Sequence, residues 1–412
     1  MNSLTLAPYY PATKPTLSCT QIVSLHLLLH RPPEGRSTCD DPIFGPFISV
    51  LPAEFDWHPL TWLWRESKAS GEPIIESRLL DSLPPSILSE LNRMFGLFQA
   101  DWSRIFSYLQ EHPSVLKALS PYDDREVDFL WGWLNVNTRC IYHRLAKTRS
   151  HPDNMTLCPI LDFANHTPKE PYTYPRASQA ELWNTGPSRK FGENFILQSP
   201  ASCIVPPGTE LFLRYGMHAN STLFTEYGFV NMVKWSDPAQ DISAETESQV
   251  DSSVEKLFEE RGPIGSWMKN VLLDEGYWGD WTMHTIPAPA HPSYRLITAL
   301  RLYHILPTNT EALPSQHRAD QLLNGWRNTT LGNQDVISTL NENLWRDTLL
   351  RLCEGNIRNA EGRSCLKAVF EETDEGNFGW HSAAVKTIQL LWQEELHVAK
   401  AVMKSLQENV AF

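Results

Sequence analysis

Apolar positions recur at helical spacing along most of the chain and give way to short apolar runs only in its middle. Ser18 precedes the run CTQIVSLHLLLHR, in which Ile22, Leu25, Leu28 and Leu29 fall on one helical face, so a helix opens there with serine as its cap. Helical patterns follow over residues 59–68, 86–107, 114–118 and 126–139, punctuated by Pro52, Pro59, Pro73, Pro84, Pro85, Pro113 and Pro121. From about residue 157 the texture changes. CPILDF, NFILQ, SCIV, ELFLRY and GFV read as short strands separated by turns such as Pro206-Pro207-Gly208, with a polar loop over residues 167–189. An acidic, Ser-rich run then reads as a linker, and helical patterns return over 254–261, 293–304, 333–353 and 381–408. The pattern predicts an α+β chain: a Pro-rich extended tail (1–17), a helical region (18–130), a compact β core (131–232), a linker (233–252) and an all-α C-terminal domain (253–412).

Composition narrows the class without naming it. In 412 residues, 42% hydrophobic and 20% charged positions are ordinary for a globular protein, and 15 Trp with 30 Pro predict aromatic-anchored helices joined by stiff turns. A formal net charge of −13 disfavours nucleic acid and anionic membrane and matches a protein partner with a basic segment. Cys19, Cys39, Cys140, Cys158, Cys203, Cys353 and Cys365 form no CxxC pair, which argues against a disulfide framework and a structural zinc site. The histidines, His284 and His291 among them, show no metal-ligand constellation, so no metal is expected. The apolar stretch at residues 22–29 is interrupted by Ser24 and His26 and is too short to span a bilayer. A cytoplasmic or nuclear location is the expectation.

Three segments carry candidate chemistry: WGWLNVNTRC (131–140), PILDFANH (159–166) and GTELFLRYGMHANSTLFTEYGFV (208–230). In this order and on these strand and loop contexts they resemble the signature of the SET-domain protein methyltransferases of the Rubisco-large-subunit-methyltransferase-like branch. SYRLITALRLYHIL (293–306) is similar to the opening of the helical substrate-binding-like domain of that branch, and the resemblance covers most of residues 18–412. It implies a SET-type β core with a helical insertion, and S-adenosyl-L-methionine-dependent N-methylation of lysine in another protein. Lysine is the residue type it favours, though a histidine is the target of one family relative. It places Tyr215 as the catalytic tyrosine, Tyr227 and Phe229 along the lysine channel, and Arg139, Asp162, Asn165 and His166 at the cofactor.

The residue types suit that chemistry. A lysine amine, with a pKa of about 10.4 in water, must be stripped of water and oriented before it can attack. Tyrosine supplies an apolar wall and one directed hydroxyl. An arginine fork suits a carboxylate. Each position also has a plainer reading: Tyr215 as a core aromatic bonded to a backbone carbonyl, Asn165 and His166 as turn residues, and Arg139 with Asp162 as a structural ion pair. The Trp57, Trp62, Trp64 and Trp131, Trp133 groups read as core. One family feature is missing. The Gly-x-Gly strand that embraces the cofactor is not found, its nearest candidate being Glu34-Gly35-Arg36 in a polar loop. The chain is therefore expected either to begin downstream of that strand or to be a degenerate SET-like protein, with weak or no catalysis, that binds a protein partner.

Overall fold

The first ten residues fold, against the expectation of an extended tail. In a computed structural model of the chain, helix α1 (Ser3–Leu6) is capped by Asn2, whose side chain accepts from Thr5 N while the Thr5 hydroxyl accepts from Asn2 N. A 3-10 turn, Ala7–Tyr9, follows. The spacing Asn-x-x-Thr is a capping box that the surrounding prolines obscure. Fully buried Leu6 and the Leu157 N–H donated to Met1 O at 2.9 Å fix the segment. The structure describes residues 1–32, 37–71, 74–116, 125–146, 148–169, 172–177, 195–199, 204–231, 246–310, 312–363 and 379–412. Glu34-Gly35-Arg36 and most of the 167–189 loop and of the linker lie outside them. The chain divides into two units, Met1–Leu80 with Glu90–His218 and Thr222–Asn231, and Asp81–Ser89 with Ala219–Ser221 and Met232–Phe412. The helical insertion and the β core thus share one unit.

In the first unit, α2 (Cys19–His30) begins where the pattern predicts. Ser18 Oγ accepts from Gln21 N and Gln21 Oε1 accepts from Ser18 N. The helix is covered on more than the expected face, since Val23 and Leu27 are fully buried. After α3 (Gly45–Ile48), α4 (Pro59–Lys68) starts at a proline that forgoes an N–H the helix would not use, with His58 Nδ1 accepting from Leu60 N. Helices α5 (Ile75–Asp81), α6 (Pro85–Glu111), α7 (Pro113–Leu116) and α8 (Arg125–Arg139) complete the helical part. Helices α2 and α8 pack closely at Gly132, where a Cβ would stand 2.8 Å from Ser24 O. Replacing Ser18 by Ala is expected to cost about 1 kcal/mol, read as a lower urea midpoint with an unchanged slope. A wild-type midpoint would mean that tertiary packing alone sets the start of α2.

The β content is smaller than the pattern predicts. Hairpin strands β1 (Ile141–Tyr142) and β2 (Met155–Thr156) pair antiparallel, as do β3 (Tyr174–Ala177) and β4 (Phe195–Gln198). NFILQ is β4. ELFLRY contributes single parallel bridges from Leu213 to His166 and Thr173. CPILDF is a 3-10 turn, Leu161–Phe163, because Asp162 N and Phe163 N fold back onto Cys158 O and Ile160 O. GFV follows α9 (Asn220–Thr222) and a π-helical turn, Leu223–Tyr227, which Gly228 ends at φ 79. Cys203 of SCIV is outside the described residues.

The second unit is mostly helical but not all-α. Strands β5 (Glu247–Gln249), β6 (Thr282–His284) and β7 (His291–Pro292) form an antiparallel sheet in that order. The described end of the expected linker is therefore β5 and the start of α10 (Asp251–Glu260). Helices α11 (Gly262–Asp274), α12 (Tyr294–Tyr303), α13 (Gln316–Thr330), α14 (Thr339–Gly362) and α15 (Gly379–Gln407) surround a core that includes Phe258, Trp281, Trp326 and Trp345. Trp326 Nε1 donates to Thr298 O at 3.0 Å, so its indole is buried with its donor satisfied. Among the described residues no helix is long and apolar enough to cross a membrane.

Candidate active site

The bridges from Leu213 bring the second and third motifs together. Leu213 N donates to Asn165 O at 2.8 Å and Thr167 N donates to Leu213 O at 2.9 Å, so the Asn-His segment lies beside the strand-like run that ends in Tyr215. Tyr215 N donates to His166 Nδ1 at 3.1 Å, which fixes the imidazole proton on Nε2. Burial, with His218 and Arg214 adding to it, pushes the His166 pKa down to about 4, so the ring is neutral. The Tyr215 hydroxyl donates to Ala164 O at 3.0 Å, leaving its oxygen lone pairs free to accept.

Around that hydroxyl stand aromatic rings. Tyr227 lies 5.4 Å from Tyr215 between ring centres, Phe229 lies 6.3 Å from Tyr215 and 6.0 Å from Tyr227, and His166 lies 5.2 Å from Tyr215. Burial raises the pKa of both tyrosines, Tyr227 to about 12. Both phenols are neutral hydrogen-bonding groups at physiological pH. Gly228 sets the turn between Tyr227 and Phe229. Its φ of 79 suits glycine, and a Cβ there would stand 2.5 Å from Trp57 Cζ3. Below it, buried His58 receives Leu60 N on Nδ1 and so donates from Nε2 to Glu226 O at 3.3 Å. Trp62, Trp64, Trp131 and Trp133 are core as expected, whereas Trp57 packs under this turn.

The remaining predicted residues are placed less closely. Arg139 Nη1 meets both oxygens of Asp162 at 3.2 and 3.1 Å, an ion pair whose carboxylate is buried. Burial raises the Asp162 pKa and Arg139 opposes it. The pair is near enough to act on the Tyr215 phenol, Asp162 raising and Arg139 lowering its pKa. Asn165 is exposed, and its amide nitrogen donates to Glu210 Oε1 at 2.7 Å. Sequence reasoning missed three participants. The Ala164 carbonyl has no side-chain signature. Glu210 lies at the start of the third motif, Gly208-Thr209-Glu210, and carries no signal there beyond an ordinary surface carboxylate. His218 lies 6.1 Å from Tyr227 and so close to Gly216 that a Cβ there would stand 2.3 Å from its Nε2.

This fold is the SET-domain fold, and the sequence is similar to those of SET-domain proteins and lysine N-methyltransferases. No protein-family model matches the chain. It is similar to Ribosomal lysine N-methyltransferase set11 of Schizosaccharomyces pombe, at 28% identity over 294 residues, covering 70% of this chain and 61% of that protein. It is similar to Ribosomal lysine N-methyltransferase 2 of Saccharomyces cerevisiae at 26% identity, covering 85% and 71%. SET domain-containing protein 4 of Homo sapiens is 26% identical, covering 97% and 76%. The chain thus spans 61% to 76% of the length of these relatives. Among solved structures, the SET domain of LSMT bound to lysine and AdoHcy superposes with a TM-score of 0.54 at 16% identity, covering 95% of this chain and 77% of that one.

Proposed function

We propose that this chain is an S-adenosyl-L-methionine-dependent protein-lysine N-methyltransferase. The observation that carries the proposal is the Tyr215 hydroxyl, tethered to Ala164 O with its lone pairs free and walled by Tyr227 and Phe229. A lysine amine entering this box loses water, which lowers its pKa and favours the neutral, nucleophilic form. The Tyr215 oxygen then accepts a hydrogen bond from one amine N–H and so aims the nitrogen lone pair, while the rings of Tyr227 and Phe229 exclude water.

The residues fit the cofactor on two counts. Arg139 Nε is buried and has no hydrogen-bond partner among the described residues, while Asp162 holds the other side of the guanidinium, so a fixed cationic donor is left for a carboxylate. Asn165, exposed beside the paired backbone of residues 165–167, offers an amide. When bound, the cofactor supplies an electrophilic methyl group on its sulfonium. Arg139, Asn165 and His166 hold it, and Asp162 keeps Arg139 in place.

The partner proposed is a protein with a lysine in a basic segment, which the net charge of −13 attracts. Two relatives are named ribosomal lysine N-methyltransferases, so ribosomal proteins are the first substrates to try. The helical second unit is proposed to select among them, and the site of action to be cytoplasmic or nuclear. Incubating the chain with radiolabelled S-adenosylmethionine and purified ribosomal proteins should label one band, with the mass shift of a methyl on lysine. Absence of label, with a ribosomal protein still co-purifying, would leave the partner-binding alternative in its place.

A further inference from the structure

Helix α2 carries His26 and His30, four residues apart and therefore on one face. His26 is a polar group in an otherwise apolar run, only 2% exposed, and its Nε2 is buried with no hydrogen-bond partner among the described residues. The bare nitrogen is not an accident of rotamer, because the opposite ring nitrogen, Nδ1, lies 2.7 Å from the Tyr10 hydroxyl. A proton on Nδ1 shared with that hydroxyl leaves the Nε2 lone pair pointing inward. Toward it come His30 Nε2 and one oxygen of buried Asp41. Asp41 Oδ2 stands 3.5 Å from His26 Nε2 and 3.8 Å from His30 Nε2, and one ligand atom from each of the three residues lies within 4.8 Å of the others. The other carboxylate oxygen, Oδ1, accepts from Ile43 N at 2.8 Å and from Phe44 N, so Oδ2 is held in place. Phe44 closes one side, its ring edge-on to His26 at 5.5 Å.

These gaps are too wide for good hydrogen bonds. Zinc bonds of about 2.0–2.2 Å place tetrahedral ligand atoms roughly 3.3–3.6 Å apart; the 3.5 Å gap lies in that range and the 3.8 Å gap is slightly wider, so the three groups are spaced to close on an ion with a small side-chain shift. We propose that His26, His30 and Asp41 form a site for a divalent transition metal of the zinc class, clamping α2 to the turn before α3. Tyr10 is a positioning residue, fixing the His26 tautomer from outside the coordination shell. The site answers the expectation of no metal, which rested on sequence spacing and did not foresee that Asp41 joins the histidine pair.

The test uses the full chain, stripped of metal with a chelator and titrated with Zn²⁺ against a zinc-sensitive dye, and with Co²⁺ followed by its visible spectrum. The wild type should take up one equivalent, give the intense bands of four-coordinate cobalt, and melt higher with zinc present. His30→Ala and Asp41→Asn should abolish saturable uptake and the zinc-dependent rise in Tm. Tyr10→Phe should weaken binding by about 10–100-fold, the usual effect of an outer-shell partner. Uptake that survives both ligand substitutions, or a wild type with no saturable uptake and no cobalt bands, overturns the proposal. The wild-type cobalt spectrum decides the matter even where a variant does not fold.

Discussion

Tyr215→Phe is expected to lower turnover by about 100-fold or more, the scale of losing one directed hydrogen bond to a reacting centre, while cofactor affinity stays as it was. The phenyl ring keeps its neighbours His166, Tyr227 and Phe229, so packing is retained and only the oxygen is lost. That oxygen donates to Ala164 O and is therefore oriented before any amine arrives. In the proposed reaction its contribution is to aim the lone pair, which counts most in the transition state and should appear in kcat more than in KM. Single-turnover kinetics on a labelled ribosomal protein, with calorimetry for the cofactor, separate the two. A variant with wild-type turnover would return Tyr215 to the role of a core aromatic.

The second unit should be least stable in alkaline solution, and Glu394→Gln should remove much of that sensitivity. Glu394 is 3% exposed on α15, with Oε2 accepting from Asn220 Nδ2 at 2.8 Å. Burial pushes its pKa up to about 8, the Asn220 hydrogen bond opposes, and Glu395 and Glu247 add repulsion. An unfolded glutamate titrates near 4.3. Between those values the folded chain binds a proton that the unfolded chain has released, so stability falls as pH rises and levels off above about pH 8. The full span is on the order of 4–5 kcal/mol, at 1.36 kcal/mol per pH unit, and most of it is already incurred at pH 7. Glu395, pushed up to about 7 by burial, acts with the same sign and leaves a smaller slope in the variant. Urea midpoints measured from pH 5 to 9 should therefore decline in the wild type and lie higher and flatter in Glu394→Gln. Parallel curves would mean that Glu394 is solvated in the folded chain.

The helices were legible where a capping residue met a strong apolar stripe. Ser18, Ser293 and Ser338 all cap the helices expected near them. Helix α11 lies outside the expected helical segments; it opens on Gly262-Pro263, where a sequence pattern gives no start although Pro is at home in a first turn. Helix α13 was missed because its stripe of Ala319, Leu323, Trp326 and Thr329 is correctly spaced but set in a polar run. The Pro count of the first seventeen residues hid the capping box at Asn2. Short apolar runs overstated the strands, since turns and single bridges satisfy the same backbone groups.

At the site, motif order located the aromatic residues that the structure brings together, Tyr215, Tyr227, Phe229 and His166. The Arg139 and Asp162 pairing was visible as one of two readings. The Ala164 carbonyl was not legible, because a backbone acceptor is common to every residue. Asp41 was not legible as a neighbour of His26 and His30, because only the fold sets the distance between a helix and the turn that follows it.

The π-helical turn at Leu223–Tyr227 has a consequence for rotational phase. It fits one residue more into a turn than an α-helix does, which is why Gly228 N, five residues on, reaches back to Leu223 O. Each residue of an α-helix advances the side chain by about 100°. Removing one residue from the turn would relax it into ordinary helix and swing Tyr227 by that angle, away from Tyr215. The extra residue thus works as an angular offset: it dials one ring of the box into alignment, and its removal would leave all the same side chains present but facing apart.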